Sequence, residues 1–158
     1  MFALPGLKLS WIAINGEPSR VDSALDRLET IADTFLSCHI PIQEALPQLF
    51  TEGRPFLTEY RQEVQRRRDL AVQLLREEKT LHFHPPQGGF YLTISVEKKL
   101  PFDEEEFVIR LMEEEGIFFH PGYFYDDESG LHLVFSYLAQ EADLRHGLSA
   151  LRRFIDRY

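Results

Sequence analysis

The side chains in this sequence that could take part in the most kinds of chemistry are histidines on predicted strands. His82 and His84 alternate along one short strand, and His120 and His132 fall on two further strands. Imidazole is a common zinc ligand, so three of these residues converging would form a metal site. No cysteine, aspartate or glutamate is interleaved with them at ligand spacing, and solvent-facing histidines explain the pattern more simply. We therefore expect no metal site.

Two further groupings suggest catalysis but favour structural roles. Cys38 stands beside His39, as a nucleophile beside a base would, yet adjacent residues at a helix end point apart. A small buried thiol is the preferred interpretation of Cys38. The run Glu113 to Glu115 resembles a solvated helix end, because paired acid–base catalysis needs carboxyl groups from separate elements.

Composition limits the class of protein and its partners. The 158 residues are 44% hydrophobic and 27% charged, which is typical of a globular chain with a core. A net charge of −9 argues against nucleic acid or anionic membrane as the main partner. The run Arg66 to Arg68 favours a solvated helix face. One cysteine, no spanning apolar run and no signal pattern predict a cytoplasmic protein without a disulfide.

The first half of the chain is predicted to be mostly helical. Residues 9–14 are an apolar run ended by Asn15-Gly16, which predicts a strand buried on both faces. Apolar residues spaced by three or four predict a helix from a capping Ser19 to about residue 35. A shorter helix over 41–50 and a long helix over 57–78 follow.

The second half predicts a small sheet with two helices. Strands are expected over 81–84, 89–96, 117–120 and 131–137. Asp103 should cap a helix that Gly116 ends, with acidic residues in its first turn. The predicted buried positions of this helix and of the last helix are Phe107, Leu111 and Met112, and Leu144, Leu148, Leu151 and Ile155.

These elements predict three parts. Residues 80–158 can close a two-layer α+β core of their own. Residues 1–53 contain one predicted buried strand with unpaired edges, and their two helices have little apolar surface to pack against. We therefore expect this part to need further chain to complete its core. Residues 54–79 form a long helix that connects the two.

Five segments follow one another along the chain: Phe2-Ala3-Leu4-Pro5-Gly6-Leu7-Lys8-Leu9-Ser10-Trp11, Gln43 in its helix, Gly88-Gly89-Phe90-Tyr91, His120-Pro121-Gly122-Tyr123-Phe124 and residues 131–151. In this order they resemble the C-terminal part of a fold type I, pyridoxal-phosphate-dependent class I/II aminotransferase. Singly each motif is weak, but their order and spacing together make the resemblance strong and extend it across the chain. The resemblance implies an α/β fold, α+β in the C-terminal part, made of the end of a large cofactor domain (1–53), a connecting helix (54–79) and a small domain (80–158).

The resemblance also implies which residues meet the cofactor and the substrate. Lys8 matches a basic residue that contacts the cofactor phosphate, where the family more often has arginine. The cofactor lysine would fall immediately before Met1, so no catalytic residue is assigned within the chain. His132 matches an arginine that holds the substrate carboxylate, and imidazole cannot replace its bidentate fork. His132 is therefore a substrate-binding candidate with altered chemistry.

The activity implied by the resemblance is amino transfer between an amino acid and a 2-oxo acid with pyridoxal 5'-phosphate, in a homodimer. The 158 residues alone are predicted to be inert and not to retain the cofactor. Two alternatives stay open: a non-catalytic ligand-binding module, and a dimerisation module derived from an aminotransferase.

Overall fold

A computed structural model of the chain describes residues 5–35, 38–127 and 129–158. Short 3-10 helices lie at Pro5–Leu7 and Gly122–Tyr125. The α-helices and strands are α1 (Pro18–Phe35), α2 (Ile40–Glu52), α3 (Arg54–Arg76), β1 (Leu81–Phe83), β2 (Tyr91–Val96), α4 (Glu104–Glu115), β3 (His120–Pro121), β4 (His132–Ser136) and α5 (Glu141–Arg157). No helix in the described ranges combines the length and the apolarity needed to cross a membrane.

The chain divides into two compact units, Met1–Tyr60 and Arg61–Tyr158. The first unit contains α1, α2 and the start of α3, and none of its described residues is buried. Large apolar side chains on it face solvent, including Trp11, 81% exposed, and Phe35, 79% exposed. The spacing of apolar residues in α1 and α2 therefore predicts the two helices correctly. Within this unit, however, none of their described side chains is buried.

The strand predicted over residues 9–14 is wrong: this segment has no regular structure. None of its apolar side chains is buried, and Ile12 is 71% exposed. A strand forms only where a neighbour accepts and donates its backbone hydrogen bonds. All four strands in the described part of the chain pair with one another in the second unit, which leaves this segment without a partner.

Helix boundaries in the first unit differ slightly from the expected ones. Because α1 begins at Pro18, Ser19 lies inside the first turn and does not cap it; its hydroxyl donates to the Glu17 carboxylate at 2.5 Å. Gly53 ends α2, and α3 begins at the next residue, Arg54. The Gly53-Arg54-Pro55 sequence thus separates two helices without an intervening loop.

The second unit is built on an antiparallel sheet in the order β1-β2-β4-β3. Side chains alternate across it, because successive residues of a strand point to opposite faces. On the closed face, Leu92, Ile94 and Leu133 pack against apolar residues of α3, α4 and α5. On the open face, Tyr91 and Thr93 are exposed. The predicted α+β packing of this region is present.

Helix α4 agrees with its sequence signals at both ends. The Asp103 side chain accepts a hydrogen bond from the Glu106 N–H at 2.9 Å, and Gly116 ends the helix at φ 68. Phe107 and Leu111 are fully buried, whereas Met112 is 48% exposed, so its predicted place in the buried stripe is wrong. The four residues predicted to be buried on α5 are all buried.

Charged clusters predicted to be solvated make specific contacts in the second unit. Arg157 binds Glu114 at 2.5 Å and Glu115 at 2.6 Å, which ties the end of α4 to α5. The Glu115 side chain is only 8% exposed. Arg67, on α3, donates to the carbonyls of Leu138 and Ala139 before α5. Both clusters therefore join elements, and the expectation of simple solvated faces is corrected.

Candidate functional site

The open face of the sheet carries His132, which the pairing of β2 with β4 places directly opposite Ser95. The predicted strand 131–137 is present as β4, so His132 points away from the closed core by simple alternation. Its side chain is 16% exposed. The edge strand β3 is shorter than the predicted 117–120 strand, and only His120 and Pro121 pair with β4.

Both ring nitrogens of His132 are engaged by hydroxyl groups. Nδ1 lies 3.0 Å from Ser95 Oγ, and Nε2 lies 2.9 Å from Ser129 Oγ. The Ser129 hydroxyl donates to Asp127 Oδ1 at 2.7 Å, so its oxygen accepts from the ring. Because the Ser129 hydroxyl gives its hydrogen to Asp127, Nε2–H donates to Ser129, whereas the Ser95 hydroxyl can either donate to Nδ1 or accept from it. The His132 ring is thereby held in place from both sides by hydroxyl groups.

The Asp127 carboxylate is the anionic end of this chain of hydrogen bonds. Its Oδ1 atom accepts from the hydroxyl and the backbone N–H of Ser129, and it lies 3.6 Å from His132 Nε2. The Ser129 hydroxyl, more than any other group, holds the pKa of Asp127 below its usual range. The preceding residue, Asp126, has the left-handed backbone (φ 60) that turns the loop toward the sheet.

The backbone of His132 is fixed by Glu104, the first residue of α4. Glu104 Oε1 accepts from the His132 N–H at 2.8 Å and from the Gly122 N–H at 3.0 Å. Gly122 is itself tightly confined: a β-carbon there would stand 2.7 Å from His132 Cβ. Helix α4, the 3-10 turn and β4 therefore meet at one carboxylate beside the histidine.

The sequence singles out His132 but gives no sign of its partners. The contact of Ser95 with His132 depends on strand register, and the contact of Ser129 with His132 depends on the fold of a loop. Asp127 lies in an acidic stretch before β4, in which Glu128 lies outside the described residues. The sequence indicates only that Glu104 interacts favourably with the dipole at the start of its helix, and not that it accepts hydrogen bonds from backbone N–H groups of other elements. The alternation of Ser95 with buried residues is the one signal that could have placed it on the open face.

Two of the other candidate histidines make polar contacts with groups other than those that hold His132. His82 Nε2 binds the Glu97 carboxylate at 2.9 Å, and His120 Nδ1 lies 2.8 Å from the Tyr125 hydroxyl. Across the described ranges, no three metal-ligating side chains come together. The alternative hypothesis, in which three histidines meet as metal ligands, is thus not seen in the described part of the chain.

Lys8 and Cys38 both lie in the first unit, on its surface. Residues 2–4 of the segment that contains Lys8 fall outside the described ranges. Lys8 is exposed, has a left-handed backbone (φ 53), and its ammonium forms no ion pair with a described residue. Cys38 is exposed, so the predicted buried thiol is wrong; the unit that carries it has no buried position among its described residues.

A cavity of about 470 Å³ opens over the sheet beside His132. Its polar lining comes from Ser95, Thr93, Asp127 and the histidines, and its apolar lining from residues such as Tyr91. The residues that line it are His82, Phe83, His84, Pro86, Tyr91, Leu92, Thr93, Ser95, Asp127 and His132. The site can therefore offer hydrogen bonds, one carboxylate and an aromatic wall to a small polar ligand.

Comparison with known proteins identifies the family of this chain. A family model described as aminotransferase class I and II matches residues 1–151. An aspartate aminotransferase of Sulfurisphaera tokodaii is 24% identical over 163 residues, covering 98% of this chain and 38% of that protein. The chain thus spans well under half of that relative.

Solved structures show the same fold. The alanine aminotransferase of Pyrococcus furiosus superposes with a TM-score of 0.77 at 24% identity, over 91% of this chain and 36% of that one. A pyridoxal-phosphate-dependent aminotransferase of Streptococcus suis gives 0.76 at 20% identity, over 99% of this chain and 39% of that one. With a family model that covers nearly all of its length, the chain belongs to the class I and II aminotransferases.

Proposed function

We propose that this chain is the C-terminal part of a pyridoxal-phosphate-dependent aminotransferase that transfers an amino group between an amino acid and a 2-oxo acid. The family match over residues 1–151 is the observation that carries the proposal. When bound, pyridoxal phosphate serves as the electron sink of such a reaction. The proposed enzyme is cytoplasmic, in keeping with its single cysteine, and the family resemblance implies a homodimer.

The proposed division of labour assigns residues 1–53 to the large cofactor-binding domain, 54–79 to a connecting helix, and 80–158 to the small domain. Two observations support it. No described residue before Tyr60 is buried, so this part lacks a core of its own. The second unit does have one, formed by its sheet and by α3, α4 and α5.

Lys8 is the proposed contact of the cofactor phosphate. Its exposed ammonium, which no described carboxylate pairs, fits a phosphate dianion. A single ammonium is not a complete cofactor site. We therefore expect the 158 residues alone to be inert and to retain no cofactor.

His132 is the proposed substrate-binding residue of the small domain. It lines the cavity over the open face of the sheet and stands where the family resemblance expects an arginine. Its fixed ring gives the site a defined shape, since Ser95 and Ser129 hold it from both sides.

The proposal is tested by joining this chain to the N-terminal part of the Sulfurisphaera tokodaii aspartate aminotransferase that it does not match. The joined protein should bind pyridoxal phosphate, and Lys8→Ala should weaken that binding, whereas the matched control Lys79→Ala should not. The 158-residue chain should show no transamination above that of free cofactor. Equal cofactor affinity of the Lys8 and Lys79 variants would contradict the role of Lys8.

A further inference from the structure

The antiparallel sheet of the second unit leaves the end of β4 without a described neighbour on one side. Strand β3 pairs only with Val134 and Leu133, whereas β4 runs on to Ser136. The Tyr137 N–H donates to the Phe90 carbonyl, on the side of β2. Because backbone groups of successive residues point to opposite edges of a strand, those of Ser136 point away from β2. The end of β4 therefore offers a backbone edge to a further strand.

A cavity of about 340 Å³ opens beside this end of β4. Its volume lies at the lower end of the range for ligand cavities, which suits one large side chain. His120 in its wall is engaged by the Tyr125 hydroxyl at 2.8 Å, and an apolar contact does not depend on the charge of that imidazole. The apolar side chains that line the cavity include Ile117, Phe118, Phe135, Leu144 and Leu148.

Gly147, in the wall that α5 contributes, is not explained by packing within the described chain. Glycine weakens a helix interior relative to alanine. A β-carbon at Gly147 would meet only Ile117 Cγ2, at 4.0 Å, which is an ordinary contact. The absence of a side chain there leaves this wall of the cavity open to a group from outside the chain.

Residues 9–14 have the properties needed to fill both the edge and the cavity. They have the apolar composition of a strand, carry no charged side chain and form no regular structure. Trp11 is 81% exposed and Ile12 is 71% exposed. Lys8, just before this segment, and Asp143, in the cavity wall, each form no ion pair with a described residue. The segment and the cavity thus complement each other in backbone hydrogen bonding, apolarity and charge.

We propose that two copies of the 158-residue chain exchange this segment. Residues 9–14 of each copy add as a strand to the free end of β4 in the other copy, and Trp11 enters the cavity over Gly147. Each chain carries a net charge of −9, which opposes association over most of its surface. This contact avoids that repulsion, because the segment is uncharged and Lys8 brings a positive charge to Asp143. The exchange is reciprocal and therefore closes a dimer.

Trp11 is the only tryptophan of the chain, so its fluorescence reports on this contact alone. Light scattering and Trp11 emission are followed together while the concentration of the chain rises about a thousandfold through the micromolar range. The mass should double, and the emission should move to shorter wavelength over the same concentrations, because the indole leaves water. Trp11→Ser should stay monomeric, whereas Phe35→Ser, which removes another exposed ring from the same unit, should dimerise like the parent chain.

Gly147→Leu tests the cavity side of the contact. The leucine occupies the cavity and, as a better helix former than glycine, keeps α5 folded, so dimerisation should weaken about tenfold. Ser149→Leu, the matched control, adds the same side chain at an exposed position of α5 that does not line the cavity, and its affinity should stay near that of the parent chain.

Three results would each overturn the proposal: a chain that stays monomeric, a dimer in which the Trp11 emission does not move, or equal affinities of the Gly147 and Ser149 variants. No cofactor takes part in this contact. A monomeric chain would therefore not count against the proposed aminotransferase role, which the joined protein tests separately.

Discussion

Glu104 gives the sharpest prediction for stability, because one carboxylate accepts hydrogen bonds from three backbone groups. Oε1 receives the N–H of His132 at 2.8 Å and of Gly122 at 3.0 Å, and Oε2 receives the N–H of Tyr123 at 3.3 Å. Glu104→Ala removes all three acceptor contacts and leaves the N–H of a buried glycine without this partner. The 3-10 turn and the start of β4 should loosen together.

The size of the effect follows from the two short hydrogen bonds. A bond to a charged acceptor contributes about 1.5 to 3 kcal/mol, and the lower value applies to a half-buried carboxylate that water reaches. Glu104→Ala should therefore cost about 3 kcal/mol. Glu104→Gln retains a neutral acceptor for the two short bonds and should cost about 1 kcal/mol.

The assay is urea unfolding followed by circular dichroism, with hydrogen exchange of the His132 amide as a local readout. Glu105→Ala is the matched control: it removes an exposed carboxylate from the same helical turn and thus the same favourable charge at the helix start. The His132 amide should lose protection in Glu104→Ala alone. If Glu104→Ala and Glu105→Ala unfold at the same urea concentration, the inferred role of the carboxylate is refuted.

Three further substitutions test the core, the turn and the surface charges of the second unit. Phe154→Ala, at a fully buried ring, should cost about 3 to 5 kcal/mol in urea unfolding, whereas Phe124→Ala, at a 57% exposed ring, should cost far less. Gly122→Ala brings a β-carbon within 2.7 Å of a β4 side chain and should cost about 1 to 3 kcal/mol, whereas Gly88→Ala meets nothing within 4 Å and should be nearly neutral. Glu63→Gln should make the free energy of unfolding depend less on pH in the acidic range. Hydrogen bonds from two arginines on the same helix lower the Glu63 pKa from 4.5 to about 2, so its stabilisation is present above pH 4.5 and lost as the pH falls to about 2. An unchanged slope of stability against pH in that window would count against these ion pairs.

Sequence patterns predicted the elements of the second unit well, because their signals are local. Asp103 and Gly116 mark the ends of α4 through backbone hydrogen bonding and a left-handed φ, which depend on few neighbours. The spacing of apolar residues on α5 likewise identified its buried side. Such signals need no knowledge of the rest of the fold.

Predictions failed where the outcome depends on a distant partner. The apolar run at 9–14 has the composition of a strand but no strand beside it in the described ranges. Cys38 is small and apolar, yet its unit offers it no buried position. Burial and pairing are properties of what lies opposite a residue, and local sequence does not report them.

The candidate site also combines a residue that the sequence indicates with partners that only the structure shows. The family resemblance led to His132, but its chemistry is set by groups brought to it from elsewhere. Ser95 reaches it through strand register, and Asp127 acts through the Ser129 hydroxyl of a loop. An imidazole where the resemblance implies an arginine can therefore be noticed in the sequence, whereas the hydrogen-bond partners of both its nitrogens required the structure.

The most direct test of the proposed aminotransferase role is the absorption spectrum of the joined protein, loaded with pyridoxal phosphate, before and after addition of an amino donor. If this chain supplies the C-terminal part of the enzyme, the bound cofactor should change its absorption on donor addition and recover when a 2-oxo acid follows. A joined protein that folds and binds the cofactor, yet shows no spectral change with amino acids, would contradict the account.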